Sequence, residues 1–180
     1  MVQKIQKQFH KYLWEFVYWG IDGTVTTFAV VAGSVGAGLS TKVILILWFA
    51  NLFADGFSMS VWAYLSSKSE REKALKNWDT PQEIKRPFWI WLATFISFVI
   101  LGFIPLIIYV LDTFFISLSF NLFVLASVLT FWAFALIWYL KSLVTEQSKL
   151  ISIFETLALW ALAAWVAYYV GFFLEKVISG

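Results

Sequence analysis

Five side chains with oxygen or sulfur donors interrupt two otherwise apolar stretches of this chain: Glu15, Asp22, Asn51, Asp55 and Met59. Glu15 and Asp22 are seven residues apart. In a helix that is two turns, so they share a face and stand roughly 10 Å apart along the axis. Thr26 continues the same face four residues after Asp22. Asn51, Asp55 and Met59, spaced by four and four, share a face of the second stretch. A carboxylate at the centre of a membrane helix costs about 2.5–3.5 kcal/mol, and such residues usually face a bundle interior or a water-filled cavity. Carboxylate oxygens beside a thioether suit a borderline divalent metal such as ferrous iron. Because metal binding needs the deprotonated carboxylate, the same groups can exchange a metal ion for protons. Each position also has a plainer use. Glu15 can snorkel from an interface, Asn51 can clamp two helices, Asp55 can serve a structural hydrogen bond and Met59 can pack. Asp22, deeper and followed by Gly23, is the residue for which a merely structural role is most costly.

Composition excludes several other chemistries. There is no cysteine, which removes disulfides, thiolate metal sites and cysteine nucleophiles. The single histidine, His10, falls in a polar basic stretch and reads as solvated, so His-rich zinc sites and two-histidine haem ligation are out of reach within one chain. No nucleophile–base constellation is readable, and an enzyme is not expected. A net charge of +2 argues for no nucleic-acid partner. No permanently bound cofactor is expected. Glu155 and Glu175 fall at the ends of an apolar stretch and read as interfacial. Glu70 and Glu72 lie in a polar segment and are candidates for a cation-collecting mouth, although Lys68, Arg71 and Lys73 stand among them.

The elements that must position these residues are membrane helices. The 180 residues are 61% hydrophobic and only 13% charged, with a mean hydropathy of +0.80. Soluble domains are about half apolar and about a quarter charged, so the bilayer is the expected solvent. Crossing it takes about 20 mostly apolar residues. Five stretches qualify, near 13–39, 42–65, 88–111, 118–140 and 153–175. The expected fold class is therefore an all-α integral membrane protein with five transmembrane helices, residues 1–180 forming one transmembrane domain. The polar segment 66–87 is too short to be a domain of its own, and Ser69 to Lys73 reads as a continuation of the second helix. Eleven of the thirteen lysines and arginines fall in the N-terminal tail, in 66–87 and between the fourth and fifth stretches; only Lys42 and Lys176 fall on the other side. The positive-inside rule then places the N-terminus in the cytoplasm and the C-terminus on the opposite side. Tyr12, Trp14, Tyr64, Trp89, Trp91, Trp138 and Tyr139 fall at the cytoplasmic helix ends, and Tyr109, Tyr168 and Tyr169 near the others, as interfacial aromatic belts do.

Small residues are dense after Asp22. Ala29 to Gly33 and Ala32 to Gly36 have the small-xxx-small spacing that lets two helices approach closely, within one subunit or across a dimer.

Two segments carry a resemblance. Asp22-Gly23-Thr24-Val25-Thr26-Thr27-Phe28-Ala29-Val30-Val31-Ala32-Gly33 resembles the first-helix signature of the vacuolar iron transporter family, and Ala54 to Glu70 (ADGFSMSVWAYLSSKSE) resembles its second-helix signature. Gly102 to Leu106 and Glu155 to Gly171 resemble its third and last helices in a more generic way. The resemblance implies a homodimer that moves ferrous iron, and often manganese, out of the cytosol in exchange for protons, with a pathway lined by helices one and two. It implies Asp22 as pathway aspartate, Met59 as pathway methionine and Glu15 as the acidic residue two turns earlier. It implies a prokaryotic cell membrane or a vacuolar or other organelle membrane, the first slightly favoured. Two departures accompany it. The position eight residues before the methionine, often glutamate in the family, is Asn51 here, with Asp55 one turn later as a substitute. The long glutamate- and methionine-rich cytoplasmic domain found between helices two and three in many members is replaced by a short segment without methionine. Two other readings stand beside the transporter: a non-transporting membrane interaction subunit with the same fold, and a small exporter of organic cations.

Overall fold

The computed structural model describes residues 2–76, 86–142 and 149–180. The side chains of residues 2–11 (His10 among them), 14, 15, 138, 140–142, 149–153, 155 and 156 lie outside the described set, as does the segment 77–85 with Asp79 and Glu83. Every described element is helical: α1 Val2–Gly36, α2 Thr41–Lys76, α3 Pro87–Phe103, a 3-10 turn Ile104–Leu106, α4 Ile107–Phe114, α5 Leu122–Ser142 and α6 Lys149–Ser179. With α3 and α4 taken as one interrupted rod, five long rods stand where the apolar stretches were expected.

The ends differ from the sequence expectation for local reasons. The basic N-terminal stretch is helical and extends α1 instead of forming a separate tail. At its other end α1 stops at Gly36, short of residue 39. The Gly38 N–H donates to the Val35 carbonyl and the Leu39 N–H to the Ser34 carbonyl, both at 3.0 Å. That pair of bonds around a left-handed residue is a Schellman cap, and Gly38 has φ 65°. A Cβ there would meet no atom, so Gly38→Ala is expected to cost about 1 kcal/mol from backbone conformation alone; thermal unfolding in detergent reads it. The second helix does run on past Ser69, to Lys76. The third is broken at Pro105, which has no N–H to give to Leu101; the Ile104 N–H takes that carbonyl instead, and the chain tightens into one 3-10 turn. The fourth begins at Leu122 instead of 118, because the Asn121 side chain caps it by accepting from the Phe123 and Val124 N–H groups at 3.0 and 3.2 Å.

By length and composition three described stretches can cross a bilayer: Thr41–Lys76, Pro87–Phe114 and Leu157–Ser179. Leu122–Ile137 is apolar but shorter. The chain is an all-α, multi-pass membrane protein. Within it α1 is the central rod, packed on α3, α6, α5 and α2, while α2 leans mainly on α3. The main core holds Phe28, Val31, Trp48, Leu52, Phe98 and Leu106. A second cluster, built on Leu13, Val17, Leu101, Phe134 and Ile137, lies toward the start of α1. Tyr109 belongs to the main core at 2% exposure, so it is not part of an interfacial belt. Tyr168 also packs against that core, whereas Tyr169, Tyr64 and Trp89 are exposed as belt residues should be.

The small-xxx-small stripe is used inside the chain. Gly33 and Gly36 of α1 lie against Ala167, Tyr168 and Gly171 of α6. A Cβ on Gly36 would overlap the Tyr168 carbonyl oxygen, and one on Gly171 would overlap that of Gly33. This is backbone-to-backbone packing, which only glycine permits.

Candidate functional site

Two aspartates on apolar helices are each followed by a glycine: Asp22-Gly23 on α1 and Asp55-Gly56 on α2. Both glycines face one residue of α3, the fully buried Phe98. A Cβ on Gly23 would stand 2.8 Å from the Phe98 carbonyl oxygen, and one on Gly56 would stand 3.1 Å from its ring. Phe98 is therefore a wedge between α1 and α2 whose position the two glycines fix. Since neighbouring helical positions point about 100° apart, seating both glycines on α3 turns the preceding aspartates out to the side of that contact. Each aspartate thus stands beside the same residue of α3, one on α1 and one on α2.

The local backbone is similar at both pairs. The Thr27 hydroxyl donates to the Gly23 carbonyl and the Ser60 hydroxyl to the Gly56 carbonyl, each at 2.5 Å. Thr26 also donates to the Asp22 carbonyl at 2.8 Å. These hydroxyls sit four residues after the carbonyl they bond, so they are satisfied within their own helix. Among the described residues no hydrogen-bond donor meets the carboxylate of Asp22 or of Asp55.

The other expected site residues fall as follows. Asn51, Asp55 and Met59 are all half-buried along one edge of α2, beside the fully buried stripe Trp48, Leu52, Gly56 and Ser60. The structure thus seats the Asp22-Gly23 and Asp55-Gly56 pairs on the same residue of α3 and sets Asn51 and Met59 one turn either side of Asp55. Met59 also packs against the main core, so its thioether has a structural contact as well. The Glu15 side chain lies outside the described residues. Glu70 and Glu72 are exposed near the end of α2. They lie 15 and 17 residues past Asp55, about 22–26 Å along the axis. Among the described residues no three His, Cys, Asp or Glu side chains converge on one point.

Sequence reasoning missed the aromatic pair beside this site. Trp19, one turn before Asp22, meets Trp62, one turn after Met59, edge to face with ring centroids 5.9 Å apart. The signal was available: Trp19 lies on the Glu15–Asp22 face, and Trp62 stands three residues after Met59. Only the crossing of α1 and α2 makes them neighbours.

The VIT family model matches residues 13–86 and 77–172, which include both Asp-Gly pairs and reach into all five long rods. This chain belongs to the VIT family. Among individual relatives, a vacuolar iron transporter of Toxoplasma gondii is 41% identical over 83 residues, covering 42% of this chain and 28% of that protein. One of Plasmodium falciparum is 35% identical over 68 residues, covering 35% of this chain and 25% of that protein. The chain thus spans about a quarter of the length of the vacuolar iron transporters it matches. These relatives come from eukaryotic parasites and lend nothing to the preference for a prokaryotic membrane. The VIT family membership agrees with the resemblance carried by the first two helices.

Proposed function

We propose that this VIT family chain is a transporter of divalent metal, ferrous iron foremost with manganese as a further substrate, that exports it from the cytosol in exchange for protons. The observation that carries this reading is the seating of both Asp-Gly pairs, on α1 and on α2, against the one residue Phe98, which sets Asp22 and Asp55 at the same level of otherwise apolar helices. Two carboxylates that share one apolar neighbourhood repel unless a cation or a proton lies with them. A divalent ion answers that repulsion in one state and protons answer it in the other. Met59 adds a soft ligand and Asn51 a neutral oxygen, so metal and proton compete for the same small group of atoms. The names of the relatives support iron as the metal.

Two carboxylates, one amide and one thioether do not enclose a dehydrated ion. The proposed pathway is completed by Glu15, two turns before Asp22, and by a second copy of the chain. The support for a dimer is that the α2 face next to Asp55, with Phe53, Phe57 and Trp62, is exposed in the single chain. The small residues of α1 no longer argue for it, since α6 covers them. The topology that goes with this reading has five crossings, the N-terminus in the cytoplasm and residues 1–180 acting as one transmembrane domain.

The test is ferrous-iron flux into liposomes holding the purified full chain, with and without an imposed pH gradient. Flux that rises with the gradient and is matched by proton movement supports exchange. A folded protein that moves neither iron nor manganese, cobalt or zinc leaves a membrane interaction subunit as the better reading. Asp55→Asn is expected to slow the initial rate by about tenfold while keeping some flux, because Asp22 still offers one ionisable ligand.

A further inference from the structure

At the other end of α2, away from the aspartates, the chain builds a second polar site. Tyr64, Lys68, Arg71 and Glu72 follow one another at helical spacing along one side of α2 and face Arg86 and Phe88 at the start of α3. Together they line a cavity of about 530 Å³. With Leu75 and Pro87 these complete the described lining, in which three residues are cations and one is an anion, so its described wall is cationic. The positive end of α3 adds to this: Arg86 is extended, its side chain makes no cap, and Pro87 opens the helix. The wall is held in place from α1, where the Tyr12 hydroxyl accepts the Arg86 backbone N–H at 3.3 Å.

The cavity lies at the edge of the apolar part of the bundle. Exposed Leu65 and Trp62 precede Lys68 on α2, and exposed Phe88 and Trp89 follow Arg86 on α3. A ligand seated among the cations would have lipid-facing aromatic and aliphatic side chains directly beside it. Cationic pockets between membrane helices at the headgroup level suit phosphate-bearing lipids. We propose that this cavity binds the phosphate of an anionic phospholipid headgroup. Arg71 and Arg86 hold the phosphate oxygens in the forked geometry that guanidinium groups offer. Lys68 adds a third positive charge, and the acyl chains run down past Phe88 and Leu65. A soluble phosphate would gain the same charges but none of that apolar contact. The site is independent of the transport reading, since it uses none of Asp22, Asp55 or Met59.

The experiment uses the purified full chain in a neutral detergent, with native mass spectrometry counting bound lipid. Phosphatidylglycerol, phosphatidylcholine and inorganic phosphate are added separately. The expected result is one tightly held phosphatidylglycerol per chain, phosphatidylcholine held far less well, and no displacement of the lipid by millimolar phosphate. Arg71→Gln with Arg86→Gln should weaken retention by roughly fivefold per cation, about 25-fold together. Lys73→Gln with Lys76→Gln removes the same charge from exposed positions of α2 outside the cavity and should leave retention unchanged. All four side chains are exposed, so these variants keep the fold. Equal retention of the two lipids, equal loss in both double variants, or displacement by inorganic phosphate would each overturn the proposal.

Discussion

Asp22→Asn is expected to abolish metal flux while leaving the protein at least as stable as before. Asparagine keeps the size of the side chain and one oxygen, but it cannot gain or lose a proton, so it cannot alternate between metal and proton as an exchanger must. Loss of even an outer-shell partner of a metal ligand costs about 10–100-fold, so loss of the charged ligand itself should reduce initial rates by more than roughly 100-fold. Stability should move the other way. A carboxylate deep in a membrane helix costs about 2.5–3.5 kcal/mol on insertion scales, and the amide costs less. Flux in liposomes and thermal unfolding in detergent, measured on the same preparation, separate the two effects. A variant that still carries iron would remove Asp22 from the pathway. One that loses flux only because it has unfolded would make Asp22 a structural residue.

The second large effect is expected at the crossing of α1 and α6. Gly171→Leu or Gly36→Leu places a side chain where the opposing atoms are backbone carbonyls, of Gly33 and Tyr168 respectively. A flexible neighbour could turn aside, but a helix backbone cannot, so the rods must separate. Overpacking of a tight core costs about 1–3 kcal/mol and occasionally more, and backbone overlap belongs at the upper end. Each variant should therefore lose about 3 kcal/mol, read as lower thermal stability in detergent, against about 1 kcal/mol for Gly38→Ala in the open turn. A Gly171→Leu protein as stable as the parent would show that α6 does not pack on α1 in the membrane.

How much of this was legible beforehand follows from the range of the forces involved. Helices in lipid satisfy their own backbone, so apolar runs of spanning length could be read locally, and five rods stand where they were expected. Face-sharing is local too. The four-residue spacing of Asn51, Asp55 and Met59 put them on one edge of α2 before any fold was known. The turn chemistry at Gly38, Pro105 and Asn121 was also written in the residues, although it moved the helix ends by several positions.

What the chain's order of residues could not decide is which faces meet. The spacing of Ala29, Ala32, Gly33 and Gly36 allowed a contact inside one subunit or between two; α6 takes up Gly33 and Gly36, because Gly171 and Ala167 offer equally bare backbone there. Tyr109 had the composition of a belt residue and is a core residue, because α4 turns it inward. Asp22 and Asp55 were two separate expensive charges in the sequence. The glycines that follow them are set against one and the same residue, Phe98. It belongs to a third helix, and its ring and backbone fit only against Gly23 and Gly56. Hydrophobic periodicity determines that a helix hides one side; the close packing of one side chain, Phe98, against two missing ones determines which faces of α1 and α2 meet α3.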